Sequence, residues 1–223
     1  MIIRARAPLR LGFAGGGSDI SSYSDLFGGS VLNVTIDKYA YTSIETDNLE
    51  SITFISTDLE KRESYSLNQP IDIDGDLKLL KATYLHILKN YCNNKRFALK
   101  ITTFCDAPPG SGLGASSTLV VSIVKAIGEL LNLPFDAYTI AKIAYIIERE
   151  ECGLLGGKQD QYSASFGGMN FMEFNQNKTV IVNPLRIPSK IICELEASLL
   201  LFYMGVSRES AKIIEQQTSN IIN

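Results

Sequence analysis

The residues of this sequence whose types and spacing suit chemistry fall into three stretches, and the densest is PPGSGLGASS at 108–117. Its three glycines and two prolines separate an alternating apolar pattern (Phe97, Leu99, Ile101, Thr103, Cys105) from one that recurs at helical spacing (Val120, Ile123, Val124, Ile127, Leu130, Leu131). A glycine-rich turn from strand to helix exposes the helix's first N–H groups, which lack partners inside the helix, at the positive end of its dipole. Phosphate suits such a site. A tight turn that uses glycine only for positive φ reads from the same residues. The lysine-bearing phosphate loop does not match, because Gly114 is followed by Ala115, Ser116 and Ser117. Nor does G-x-G-x-x-G with an acidic residue about twenty positions on. A phosphate bound here is held by backbone amides and hydroxyls, and its cation comes from elsewhere in the chain.

The second stretch, PLRLGFAGGGSD at 8–19, sets Gly15, Gly16 and Gly17 against Ser18 and Asp19. Consecutive glycines let a backbone approach a ligand closely while a hydroxyl and a carboxylate point at it. The alternative is that Ser18 or Asp19 caps a short helix at 20–26. In the third stretch, Glu148, Arg149, Glu150 and Glu151 end a helical pattern before the turn glycines Gly153, Gly156 and Gly157, and Lys158, Gln159, Asp160 and Gln161 follow. A charged helix end is ordinarily a solvated one.

The elements that must position these groups read as strands mixed with helices. A strand at 2–7 ends at Pro8. Residues 30–45 form one long bent strand or a hairpin broken at Asp37 and Lys38, and a strand at 51–56 leads into a polar excursion at 57–76 with a short strand near Tyr65. A helix around His86 carries a core face of Leu77, Leu80, Tyr84, Leu88 and Tyr91. Asp136 caps a helix running to about 151, strands follow at 169–174 and 178–182, and a strand at 197–204 precedes a helix from about 207. Without strict βαβ alternation, this order favours an α+β fold over a doubly wound sheet.

At 223 residues and 45% hydrophobic content the chain can bury a core, as one large domain or as one domain and part of another. A net charge of −3 with interspersed signs offers no basic stripe for nucleic acid. No apolar run is long enough for a bilayer, and Arg4, Arg6 and Arg10 interrupt any secretory signal, so a cytoplasmic protein is expected, with no membrane partner. The four cysteines form no C-x-x-C pair and read as buried thiols rather than as zinc ligands or disulfides. With His86 as the sole histidine and no G-x-S-x-G elbow, a Ser-His-Asp hydrolase is disfavoured.

Together the three stretches resemble the GHMP small-molecule kinases. APLRLGFAGGGSD at 7–19 is similar to that family's N-terminal substrate motif and PPGSGLGASS to its phosphate-binding motif, and Glu148, Asp160 and the Phe166-Gly167-Gly168 turn resemble its third set of residues. KQDQYSASFGG at 158–168 and the triple glycine look most like the branch that acts on D-glycero-D-manno-heptose 7-phosphate. The resemblance implies an α+β GHMP kinase fold. Residues 1–185 would be an N-terminal mixed α/β domain, ribosomal protein S5 domain 2-like, with the ATP- and substrate-binding motifs, and 186–223 the start of a C-terminal α+β domain. The family's later glycine-rich motif is not found, so the chain reads as truncated and its activity as dependent on the missing part.

The implied activity is ATP- and Mg²⁺-dependent phosphorylation of the anomeric hydroxyl of that sugar phosphate to the 1,7-bisphosphate, on the way to nucleotide-activated heptose. A kinase for an unphosphorylated sugar of the fucose or galactose type, or a non-catalytic nucleotide- or sugar-binding module, is the alternative. The resemblance assigns ATP's phosphates to Pro109, Gly110, Ser111, Gly112, Leu113, Gly114, Ala115, Ser116 and Ser117. It assigns Mg²⁺ to Ser116 and Glu148, with Ser117 as second choice, and the acceptor hydroxyl's proton to Asp160. Arg10 would offset charge on the transferring phosphoryl group, and Gly16, Gly17, Ser18 and Asp19 would hold the sugar. Charge and position alone suggest Lys158 for the substrate's own phosphate.

Overall fold

The computed structural model describes residues 1–202. Its spine is β2 (Gly29–Glu45), an unbroken strand whose first half pairs antiparallel with β6 (Met169–Phe174) and whose second half pairs antiparallel with β5 (Leu99–Cys105). β1 (Ile2–Ala14) runs antiparallel along both halves. The strand expected to stop at Pro8 therefore continues through it. Proline has no N–H to give a ladder, but at this point the register jumps from Pro8 opposite Tyr39 to Arg10 opposite Thr35, so the ladder is already broken. Residues 8–14 are strand rather than loop.

The remaining strands extend the sheet to seven, in the order β4-β3-β5-β2-β6-β7 with β1 on β2. β3 (Ser51–Ser56) lies parallel to β5, β4 (Lys61–Ser66) forms one edge, and β7 (Val180–Pro184) forms the other. A parallel pair needs a long crossover, and α2 (Lys78–Tyr91) lies within it.

α2, α3 (Ala115–Leu130) and α4 (Ala137–Tyr145) pack on the sheet around one core. Val120, Ile123, Val124 and Ile127 of α3 are fully buried with Ala7, Ile44 and Ile101 of the sheet, each aliphatic side chain contributing about 1.5–3 kcal/mol. On α2, Leu77, Leu80, Tyr84 and Leu88 are buried as their spacing predicts, whereas Tyr91 is exposed at the helix end. His86 is buried against Glu151, 2.8 Å from its Nδ1, and does not line the cleft described below. The Asp136 carboxylate accepts from Thr139 N–H at 2.7 Å and caps α4. That helix passes into a π-helical turn, Ile146–Glu151, closed by Cys152 N–H on the Ile147 carbonyl five residues back.

α1 (Ser21–Phe27) follows the 8–19 stretch and α5 (Gln159–Phe166) carries Asp160 of the third. α6 (Ser189–Ser198) occupies part of the strand expected at 197–204, and 199–202 is not strand either. The helix expected from 207 lies outside the described residues. The cysteines form no disulfide among the described residues; Cys105 is buried, Cys92 and Cys152 are half-buried and Cys193 is exposed, so only Cys105 matches the expected buried thiol.

Candidate functional site

Where β1 and β2 jump register, Arg10 turns its backbone N–H to the Leu113 carbonyl at 3.1 Å and so ties the glycine turn to the sheet. Leu113 packs its side chain beside Leu9, Ala40, Cys105 and Ala107. It anchors the turn from behind and does not line the cleft. Pro109, Gly110, Ser111, Gly112, Gly114, Ala115 and Ser116 form one wall of a cleft of about 440 Å³. Gly112 and Gly114 have φ of +77° and +76°, so the turn needs glycine for its conformation. Gly114 is also the N-cap of α3, and no side chain caps that helix. The tight turn and the arrangement that an anion would need are not alternatives, because the turn is what leaves the first N–H groups of α3 at the cleft.

Two side-chain pairs cross this end. Arg10 Nε and Nη2 lie 2.7 and 2.6 Å from Asp160 Oδ1, and Arg10 Nη1 donates to the Gly112 carbonyl at 2.6 Å. A Cβ at Gly114 would sit 3.1 Å from the Asp160 carboxyl carbon, so the turn and the first residues of α5 touch. Ser116 donates to Glu148 Oε1 at 2.8 Å, and Gln161 Nε2 donates to the other oxygen at 2.6 Å. Glu148 is completely buried. The charged helix end is thus solvated only in part: Glu150 and Glu151 are exposed, whereas the π-helical turn brings the Glu148 carboxylate inward. Ser117 is buried behind the cleft and accepts from Gln161 Nε2 at 3.1 Å, so of this pair Ser116 is the one on the cleft wall.

At the other end, Asp19 is 2% exposed and lines the cleft. It caps a helix, but not α1, whose N-cap is Ile20 without a side-chain bond. Its Oδ2 accepts Gln159 N–H at 2.9 Å and its Oδ1 accepts Gln159 Nε2 at 3.2 Å, so it caps α5 from 140 residues away. Burial pushes the Asp19 carboxyl up; the Gln159 N–H opposes the shift and the charge of Asp160 adds to it. Position 157 must be glycine here, since a Cβ would lie 1.9 Å from Asp19 Oδ2.

Three expected sugar or phosphate contacts lie elsewhere. Ser18 Oγ is 2.7 Å from the Gly15 carbonyl and accepts Ser30 N–H at 3.1 Å, bracing the glycine loop on β2 away from the cleft. Gly16 is off the cleft wall as well, whereas Gly17 is on it. Lys158 is turned inward: it is 6% exposed, its Nζ donates to Asp25 at 2.9 Å and Ser24 at 3.2 Å on α1, and it does not line the cleft. Its charge is neutralised inside the fold, which a residue two positions from Asp160 gave no local sign of. Arg149 and Gln159 do line the cleft and were not singled out, Arg149 because it sits in a charged run that reads as solvated.

The family described as GHMP kinases N terminal domain matches residues 78–168. A D-glycero-alpha-D-manno-heptose 7-phosphate kinase from Campylobacter jejuni is 47% identical over 219 residues, 98% of this chain, and the chain spans 64% of that relative's length. A crystal structure described as a D-glycero-D-manno-heptose 1-phosphate kinase from Bacteroides thetaiotaomicron superposes with a TM-score of 0.87 at 48% identity, covering 99% of this chain and 71% of that one. The mevalonate kinase of Methanococcus jannaschii shares the fold at a TM-score of 0.65 and 18% identity.

Proposed function

This chain belongs to the GHMP kinases, and from that premise we propose that it carries the nucleotide- and sugar-binding cleft of an ATP-dependent kinase for D-glycero-D-manno-heptose 7-phosphate. The observation that carries the reading is the meeting of the Arg10–Asp160 and Ser116–Glu148 pairs at the uncapped start of α3. The names of the two heptose relatives place the sugar's existing phosphate at different carbons. The 7-phosphate is taken here because it leaves the anomeric hydroxyl free to accept.

In this reading the turn at 109–117 holds ATP's phosphates through the backbone N–H groups that follow Pro109 and remain unpaired at the start of α3. Asp160 orients the anomeric hydroxyl and accepts its proton as that oxygen bonds to the γ-phosphorus and the bond to the departing ADP oxygen breaks. Arg10, between Asp160 and the Gly112 carbonyl, offsets charge on the transferring phosphoryl group. Asp19 and Gly17 receive the sugar's hydroxyls. A hard divalent cation fits Ser116 and Glu148, two oxygen donors 2.8 Å apart with a fully buried carboxylate whose nearest ion-pair partner among the described residues is the Arg149 Nη1 at 3.9 Å. Mg²⁺ held there would supply charge neutralisation across the phosphate oxygens.

One observation favours a second reading, a kinase for an unphosphorylated sugar: Lys158 is spent on Asp25 and offers the substrate no charge. ADP release by the full-length protein, measured with heptose 7-phosphate, heptose 1-phosphate, heptose, fucose and galactose, decides between them. Turnover of heptose 7-phosphate above the rest is expected. Brisk turnover of another sugar with none of this one would overturn the substrate, and ATP binding without any turnover would reduce the chain to a binding module.

A further inference from the structure

A substrate that arrives with its own phosphate needs a cation that the transfer chemistry has not used. The described residues that line the cleft include two, Arg10 and Arg149. Arg10 is held by Asp160 and the Gly112 carbonyl at the glycine-turn end. Arg149 comes from the π-helical turn, next to Glu148 in the chain, and its side chain is 11% exposed.

Its guanidinium is fixed along two of its three nitrogens. Nε donates to the Gly157 carbonyl at 3.2 Å, and Nη1 lies 3.4 Å from the carbonyls of Leu154 and Leu155, with Glu148 Oε1 3.9 Å away on the same side. No bond joins Nη2 to any described residue. The backbone runs close beneath this group, since a Cβ at position 156 would lie 2.4 Å from Cζ and Nη2. The neighbouring Gly157 abuts Asp19 in the same way. Two adjacent glycines thus press Arg149 and Asp19 against one short loop, so a sugar whose hydroxyls meet Asp19 has its far end beside a pre-oriented guanidinium.

The geometry points to Arg149 as the residue that selects a phosphorylated sugar, by donating from Nη2 to the substrate's own phosphate. A planar donor locked by backbone carbonyls loses little freedom on binding a phosphate, which suits arginine better than lysine. This inference rests on the heptose 7-phosphate reading above and names the residue behind its specificity.

The test compares kcat/KM for heptose 7-phosphate with that for heptose lacking the phosphate, in the full-length protein and its Arg149→Gln and Arg149→Lys variants. The readout is the ratio, in which any general loss from a loosened 154–157 loop cancels. Arg149→Gln is expected to lower the ratio about 10- to 150-fold through KM, the range for losing a hydrogen bond to a charged group. Arg149→Lys is expected to lower it about tenfold, because it keeps charge but loses the planar fork. An unchanged ratio in either folded variant overturns the proposal, and Arg149→Lys decides if Arg149→Gln does not fold. Failure of the underlying function is visible separately, as absence of heptose 7-phosphate turnover in the unaltered protein.

Discussion

At the glycine-turn end of the cleft the ties are mainly between side chains, Arg10 to Asp160 and Ser116 to Glu148, with Arg10 also on the Gly112 carbonyl, whereas at the other end Arg149 bonds to the main chain of 154–157 and Asp19 to both the N–H and the side chain of Gln159. Both ends use carboxylates, an arginine and close glycines. A side chain paired with another side chain can exchange that partner for a ligand while the backbone stays in place. One that holds main-chain groups, as Arg149 holds three carbonyls and Asp19 the first N–H of α5, cannot move without releasing the loop. The glycine-turn end is therefore suited to charge that comes and goes during transfer, and the Asp19 end to a rigid outline.

The sharpest way to break this comparison is Asp160→Asn. It is expected to lower kcat by about 10³-fold, within the usual range for a positioned acid or base, while ATP affinity by calorimetry stays within a few-fold and the melting temperature hardly moves. Loss of stability on the same scale would place Asp160 among the structural groups. Gly157→Ala tests the opposite end. With its Cβ forced to within 1.9 Å of Asp19 Oδ2, urea denaturation should show a loss of about 1–3 kcal/mol, and retained stability would mean that the loop yields and the outline is not rigid.

Ser116→Ala returns to the glycine-turn end with a milder change. It should raise the KM for MgATP by about tenfold, or 1.4 kcal/mol, without a change in melting temperature; a stability loss with KM preserved would make Ser116 a support for Glu148 only. The smallest effect concerns pH. Because the Asp19 carboxyl is raised in the fold, the unfolded chain gives up this proton near the ordinary 3.8 while the folded chain still holds it. Between those two values the folded state binds more protons, so this contribution is complete below 3.8 and is lost as pH rises through the folded value. Melting temperatures between pH 4 and 7 should show a decline that Asp19→Asn flattens, and an identical slope in the variant would show that Asp19 does not carry it.

Much of this architecture was legible from local pattern. The glycines of 108–117 predicted a turn into a helix, the spacing of Val120, Ile123, Val124 and Ile127 predicted its buried face, and Asp136 predicted the cap of α4. Pro8 misled, because its missing N–H stops a regular ladder but not one that already breaks there. Glu148 and Arg149 misled for a different reason. A charged run reads as solvated until a π-helical turn, whose register no propensity scale anticipates, carries one member into the interior and the other to the cleft.

By itself, then, the sequence determined the elements and the turn chemistry, since backbone preference, periodicity and capping act over a few residues. Only the tertiary structure decided which polar groups face the cleft. Arg10 meets Asp160 across 150 residues, Asp19 caps a helix 140 residues on, and Lys158 is drawn inward by an aspartate 133 residues before it. A buried charge goes where its partner is, and that partner is supplied by the fold rather than by the neighbouring sequence.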